Sequence, residues 1–517
     1  MKRLLIFLII CFSAPVPGDS AILPSRAEKM AVYIEKSNFK GLEEFNSQNL
    51  QNCVTNHLEY LLWRKGWDFR FISSNKKNSF RKLTGHAKSE GFDYLLYLRP
   101  KAVFQAGEGK SDEEKKSARY PAEYPTLKIS LSLFYADLTD SLGKIDSFHL
   151  SAQTLDDWFV LGDSTIVSWQ MTRPEPPEYT IMRILSQGTE FLPAKERKPL
   201  SYNDSIPFYL VVDSRILNDR RGGTDSIISE AVEYASYSLA SQFNLGLYLC
   251  AKTYFTTPKV PLSDIGRLFE SFLKSEFPKP DTIIVCVFRP QNLNEYFLDA
   301  NNIRVGVSDI GRKTSVIAEM HPPSPLSSEW GSFLNGQLIL HEIGHLLGSI
   351  HVFDIGSAMT EKRSWVASNR FDSLNSHIVR KGREDKARLA SLKNYAFSLT
   401  EAIETVNYKL SNYPAVFASL IHADKAELDS ANFGTSNFAK SIHAAAKGYE
   451  YFLEGKKDMA RESLNLGLAG DSAQAAIHYY LSQLTEGKLS EYHLNKALKV
   501  GLYVPYEERV LHRDGKQ

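Results

Sequence analysis

His341-Glu342-Ile343-Gly344-His345-Leu346-Leu347-Gly348-Ser349-Ile350-His351 is the stretch that governs the reading of this chain. It overlaps the apolar run Leu334–Leu347, which has helical length. On a helix, positions i and i+4 share a face, so His341 and His345 can aim imidazole nitrogens at one cation. Ten further residues of straight helix would carry the chain about 15 Å away. Gly348 can instead turn it with a left-handed backbone and return His351 as a third ligand. Three imidazoles and one open position describe a catalytic site for a single Zn²⁺. Glu342 flanks the metal without ligating it, where its carboxylate can take the proton of an attacking water.

A bare His-Glu-x-x-His arises by chance in roughly one or two per cent of chains this long, and requiring Gly348 and His351 lowers that by about three orders of magnitude. The extended pattern therefore outweighs the bland alternative, a helix whose histidines are merely satisfied by hydrogen bonds. The segment resembles the metzincin metallopeptidases, whose pattern is His-Glu-x-x-His-x-x-Gly-x-x-His followed by a methionine turn beneath the metal. Met359 stands eight residues past His351, in His351-Val352-Phe353-Asp354-Ile355-Gly356-Ser357-Ala358-Met359, an interval most similar to the matrix-metallopeptidase branch. The resemblance implies a twisted sheet with two long helices, the second bearing the first two ligands. It covers only His341 to Met359. Thr360 departs from the tyrosine of astacin-like members and from the Tyr-Pro or similar continuation of matrix enzymes, which leaves the subfamily and the wall of the specificity pocket open.

Outward from the motif, residues 206–351 alternate strand-like and helix-like runs: Phe208–Val212, Thr224–Gln242, Leu245–Tyr254, Ser263–Lys274, Thr282–Phe288 and Thr314–Met320. That order predicts a mainly parallel sheet with helices packed on it. Towards the N-terminus, a helix at Ser47–Arg64 and β-rich runs at Tyr94–Arg99, Leu127–Leu138 and Ile145–Ala152 suggest a separate α/β domain. Its charged stretch Gly107–Arg119 reads as a solvated excursion. The breaks at Pro174-Glu175-Pro176-Pro177 and Pro193–Pro199 bracket its end.

Beyond Glu384, Ala, Leu, Lys and Glu dominate, a helix-forming composition. There Gly448-Tyr449, Leu453-Glu454-Gly455-Lys456, Ala460, Leu464 and Leu468 are echoed about 32 to 34 residues later by Tyr479-Tyr480, Thr485-Glu486-Gly487-Lys488, Leu494, Ala497 and Leu498. The spacing resembles tetratricopeptide helical pairs; a plain helical bundle is the alternative. The expected fold class is multidomain α+β. It comprises residues 1–20 as a signal peptide, an N-terminal α/β domain (21–198), a metzincin-like zinc peptidase domain (199–383) and a helical, tetratricopeptide-like domain (384–517).

At 517 residues, two to four domains are expected. Lys+Arg 61 nearly cancels Asp+Glu 60, a balance that suggests no nucleic-acid or membrane-surface partner. Met-Lys-Arg followed by the apolar run from Leu4 to Phe12 and Ser13-Ala14-Pro15-Val16-Pro17-Gly18 has the layout of a secretory signal, too short to span a membrane. The mature chain is thus expected to be exported without a transmembrane span, with lipid anchoring at Cys11 as an alternative. Among the later cysteines, Cys53 reads as a core thiol, while Cys250 and Cys286 form either a bridge or two free thiols. For latency, Cys53 lacks the Pro-Arg-Cys-Gly context of a cysteine switch, and Phe159-Val160-Leu161-Gly162-Asp163 resembles the astacin-type Phe-x-Gly-Asp aspartate switch with one extra residue. The remaining histidines, among them His57, His86, His321, His377 and His478, show no second ligand spacing.

The expected function is an exported zinc-dependent endopeptidase acting on protein or peptide substrates, its helical C-terminal region offering a surface for a protein partner. The competing reading is a non-catalytic interaction protein in which the zinc is structural. A zinc hydrolase of non-peptide bonds is a third, since function belongs to the site and its pocket.

Overall fold

The computed structural model describes residues 28–35, 47–72, 80–105, 126–139, 145–153, 177–217, 224–255, 282–289, 297–299, 302–304, 306–308, 314–318, 328–354, 356–360, 368–384, 391–423 and 436–502. The signal-like start, the 107–119 stretch, Asp163, the 263–274 helix and His321 lie outside them. No described helix is long and apolar enough to cross a membrane.

The N-terminal layer holds β1 (Lys29–Ile34), α1 (Ser47–Arg64), β2 (Asp68–Phe71), α2 (Phe80–Ser89), β3 (Tyr94–Gln105), β4 (Thr126–Asp137), β5 (Ile145–Gln153) and α3 (Pro177–Thr189). Its sheet runs β2-β1-β3-β4-β5, with β1 parallel to β2 and β3, and β3-β4-β5 antiparallel. The period-2 alternation of strand side chains divides it cleanly. Met30, Val32, Leu96 and Leu98 face a core shared with α1 and α3, whereas Ala31, Tyr33, Leu95 and Tyr97 face Leu83 and Ala87 of α2.

The central layer contains β6 (Asp204–Asp213), the short α4 (Ser214–Leu217), α5 (Thr224–Phe243), β7 (Leu245–Phe255) and β8 (Ile283–Phe288). It continues with β9 (Phe297–Asp299), β10 (Asn302–Arg304), β11 (Gly306–Ser308), β12 (Thr314–Ala318) and α6 (Ser328–Leu346). Its five-stranded order is β11-β12-β8-β6-β7, parallel throughout except for β11, which runs antiparallel on β12; β9 and β10 form a separate two-stranded ladder. Leu210, Val211 and Val212 of β6 and Val285, Cys286 and Val287 of β8 are all buried, as strands covered on both faces require. The two long helices, α5 and α6, pack on each other, so the expected sheet with two long helices is present. Phe333, Leu338, Leu340 and Ile343 of α6 are fully or nearly fully buried; each such side chain contributes about 1.5–3 kcal/mol.

The three described cysteines are free. Cys250 lies on edge strand β7 and Cys286 on β8, with β6 between them. Two strand spacings amount to about 9.6 Å, beyond the reach of a disulfide. Cys250 is also the extra residue at the β-bulge, where Phe208 pairs with Leu249 and Tyr209 with Ala251. Cys53 is buried, in keeping with a core thiol.

From residue 373 the described chain is helical: α7 (Ser373–Glu384), α8 (Leu392–Val406), α9 (Tyr413–Ala423), α10 (Asn437–Leu453), α11 (Lys457–Leu468), α12 (Ala475–Leu484) and α13 (Gly487–Val500). α10 packs on α11 and α12 on α13. Small residues set the spacing: a Cβ on Gly448 would meet Leu464, and one on Gly467 would meet Ala445. Ala460, Leu464 and Ala497 are buried there. The helical core also takes in Ile350, Phe353, Leu374 and Ile378, just as the N-terminal core takes in Tyr234, Phe333 and Leu334.

Candidate metal centre

α6 ends in a Schellman turn immediately after the second histidine. The Ser349 N–H reaches the Gly344 carbonyl (2.9 Å) and the Gly348 N–H reaches the His345 carbonyl (2.9 Å), with Gly348 at φ +91°. This turn carries His351 back to the histidines of the helix. The three Nε2 atoms lie 3.2 Å (His341–His351), 3.2 Å (His345–His341) and 3.0 Å (His345–His351) apart.

Outer hydrogen bonds fix what those nitrogens are. His341 Nδ1 lies 2.6 Å from the Ala358 carbonyl and His345 Nδ1 lies 2.9 Å from the Ser349 carbonyl. A carbonyl only accepts, so Nδ1 carries the proton and Nε2 of each neutral ring is a bare lone pair. The bare Nε2 lone pairs of His341 and His345, 3.2 Å apart, repel unless a cation lies between them. For tetrahedral Zn²⁺ with Zn–N of about 2.0–2.1 Å, ligand nitrogens stand about 3.3 Å apart. The donor set thus fits a zinc-sized ion, and His341, His345 and His351 are the group among the described residues that could hold a metal ion.

Glu342 is 3% exposed, and its Oε2 is buried without a hydrogen-bond partner. Its other carboxylate oxygen lies against the backbone of Gly306 on edge strand β11, where a Cβ would collide with it. Met359 is fully buried beside the motif helix; a Cβ on Gly344 would come within 2.5 Å of its sulfur. The Val352 N–H donates to the Met359 carbonyl (2.9 Å), tying the third ligand's segment to the methionine turn. All the residues expected from the sequence therefore sit in one place: the three histidines, Glu342, Gly348 and Met359.

Sequence reasoning missed a second tier. The Asn375 amide brackets residue 350, accepting from the Ile350 N–H (2.8 Å) and donating to the Ile350 carbonyl (3.0 Å). Asp372 accepts from Asn375 Nδ2 (2.7 Å) and from Ser357 Oγ (2.6 Å); burial pushes its carboxyl pKa up, against the pull of these hydrogen bonds. From the helical region, the Tyr395 hydroxyl donates to the Gly348 carbonyl (2.8 Å) and the Asn412 N–H to the His351 carbonyl (3.0 Å). None of these has a local sequence signature. Each is an ordinary Asn, Asp or Tyr whose meaning lies in what it touches.

Neither a known protein family nor a curated protein matches the sequence. Among solved structures, metalloproteinase-II from Bacteroides fragilis aligns over 59% of this chain and 96% of its own, at 13% identity and a TM-score of 0.25. A chaperone–substrate complex aligns over 56% of this chain at 10% identity and a TM-score of 0.24, and only 42% of that chain's length is spanned. Likenesses this slight carry no argument, and the centre rests on its own geometry: three histidines arranged to hold a metal ion.

Proposed function

We propose that this protein is an exported zinc-dependent endopeptidase of metzincin type. The observation that carries the reading is the convergence of three imidazole Nε2 atoms, each within 3.2 Å of the others and two of them bare lone pairs, together with a buried Glu342 carboxylate oxygen that lacks a hydrogen-bond partner. A structural zinc site is closed by a fourth protein ligand and has no use for a base. Here the described residues supply three ligands and a glutamate.

A zinc ion held there supplies a Lewis acid for the scissile carbonyl and lowers the pKa of the water it binds. The chain's residues do the rest. Glu342 accepts the proton of the attacking water at its carboxylate and passes it to the leaving amine. His341 and His345 keep their Nδ1 protons on the Ala358 and Ser349 carbonyls, which holds both rings in the ligating tautomer. Burial of the helix around them excludes bulk water and strengthens these interactions.

In the same reading the N-terminal apolar run is a secretory signal, the divisions fall near residues 198 and 383, and the paired C-terminal helices form a tetratricopeptide-like module for a protein partner. The test combines metal analysis of the wild type and Glu342→Gln with a chelator-sensitive assay on a denatured protein substrate. One zinc per chain in both, with cleavage in the wild type alone, is the expected result. Zinc in both without cleavage in either favours the interaction-protein reading, and a wild type without zinc ends the proposal.

A further inference from the structure

Helix α1 belongs to the N-terminal layer, yet one of its faces is polar where burial would favour apolar side chains. Asn56 and Glu59 are each 3% exposed, and Asn52, Asn56 and Glu59 follow one another at i, i+4 and i+7, along one face. Buried polar groups are retained where they are satisfied, so their partners show what the face does.

All three point to the segment that follows the third ligand. Asn52 lies against Gly356, at the entry to the methionine turn. Asn56 Nδ2 donates to Ser368 Oγ (3.0 Å), which also accepts from the Arg370 N–H (3.0 Å). Glu59 Oε2 accepts from the Arg370 guanidinium (2.9 Å). The Arg370 carbonyl then accepts from the Ala358 N–H (2.6 Å), and the Ala358 carbonyl accepts from His341 Nδ1 (2.6 Å). A continuous series of hydrogen bonds thus runs from a helix more than 280 residues upstream to the imidazole of the first ligand.

We infer that Asn56 and Glu59 of α1 are positioning residues for the metal centre, setting the orientation of the His341 ring through Ser368, Arg370 and Ala358. The inference rests on the peptidase reading only in taking the three histidines as metal ligands. It gives the N-terminal layer a role different from a detachable latency plug: it is a fixed part of the site.

The experiment measures zinc affinity of full-length protein by competition with a chromogenic chelator, alongside circular dichroism to establish that each variant is folded. Glu59→Ala and Ser368→Ala are each expected to weaken zinc binding by about 10- to 100-fold, the range for loss of a partner that orients a ligand, with Glu59→Gln falling between them and the wild type. Arg64→Gln is the control. It breaks the 2.7 Å ion pair from the same helix to Glu230 of α5, whose other oxygen accepts from Ser332 near the start of α6 (3.1 Å) and makes no part of the series to the His341 ring, and its affinity should match the wild type. Ser368→Ala removes a single oxygen, so it reports even where Glu59→Ala fails to fold. Folded Ser368→Ala at wild-type affinity overturns the inference, as does a loss in Arg64→Gln as large as in the others. A wild type that binds no zinc refutes the metal reading and this inference together, a result distinct from either.

Discussion

A methyl group at position 348 would be held at φ +91°, a conformation that costs an L-residue roughly 1–2 kcal/mol, and the turn it strains is the one that returns His351. Gly348→Ala is therefore expected to lose that much stability and to bind zinc more weakly, measured by denaturant unfolding with and without the metal. A methyl group on Gly306 should act differently. It would displace the Glu342 carboxylate without touching a ligand, so Gly306→Ala should retain zinc while turnover falls by about 10²-fold, the scale for a misplaced catalytic group. Unchanged turnover in a zinc-loaded Gly306→Ala protein would show that β11 does not constrain the base. At this scale the histidines, Glu342 and Gly348 were legible because their geometry is local: two residues one turn apart on a helix and a glycine to end it. Asn375, Asp372, Tyr395 and Arg370 were not, since each reaches the site across a separation of 12 or more residues that no spacing rule spans.

Elements were legible where burial is one-sided or complete. The run Ser47–Arg64 was read as a helix and is α1, and the strand-like runs at 208–212, 245–254 and 282–288 became β6, β7 and β8 with their ends shifted by at most four residues. Pairing was not legible: nothing in the alternation told that β3-β4-β5 would be antiparallel while β1 joins parallel, because register depends on partners and not on the strand itself. The histidine pair between α12 and α13 was equally hidden. His478 Nε2 donates to the Ser472 carbonyl (2.9 Å), leaving Nδ1 to accept from His493 Nδ1 (2.9 Å). Burial lowers both pKa values; Lys496 lowers that of His478 further, the Ser472 carbonyl and Asp471 oppose, and His478 lowers that of His493. With folded values below the ordinary value of about 6.5, the unfolded chain takes up protons that the folded one refuses, so stability is full above about pH 6.5 and falls as pH drops below it. Thermal unfolding followed from about pH 7.5 to about pH 5.5 should show a declining midpoint, and His493→Gln should flatten that decline. An equal slope in the variant would place the pH sensitivity elsewhere.

For the whole molecule, mixed α+β architecture followed from the alternating central pattern and the helical tail, whereas the way the layers share cores did not. Tyr60 and Trp63 of α1 meet Tyr234 of α5 edge-on and tilted, at 4.8 and 5.1 Å, and Phe353, two residues past the third ligand, meets Tyr479 of α12 at 5.5 Å. Aromatic residues identify themselves as core in a sequence but not whose core. The consequence for dissection is direct. A chain confined to residues 199–383 would lose the Tyr395 bond to Gly348, the Asn412 bond to His351 and the Leu410 carbonyl that accepts from the Phe353 N–H. It would also expose Ile350, Phe353, Leu374 and Ile378, each worth about 1.5–3 kcal/mol when buried. Such a fragment is expected to be aggregation-prone and to retain zinc poorly; a soluble, zinc-replete fragment would contradict that.

The bond between Asn412 and His351 also bears on time. Asn412 is itself held by the Tyr480 hydroxyl (2.9 Å), so the anchor of the segment carrying the last ligand is complete only when chain as far as α12 is in place. Contacts this far apart in sequence form late, after the loops between them have closed. A polypeptide synthesised from its N-terminus presents His341, His345 and His351 well over a hundred residues before Tyr480, and during that interval the third histidine lacks its full anchor. Assembly order by itself therefore leaves the backbone of His351 to be fixed last, when nearly the whole chain has folded around it.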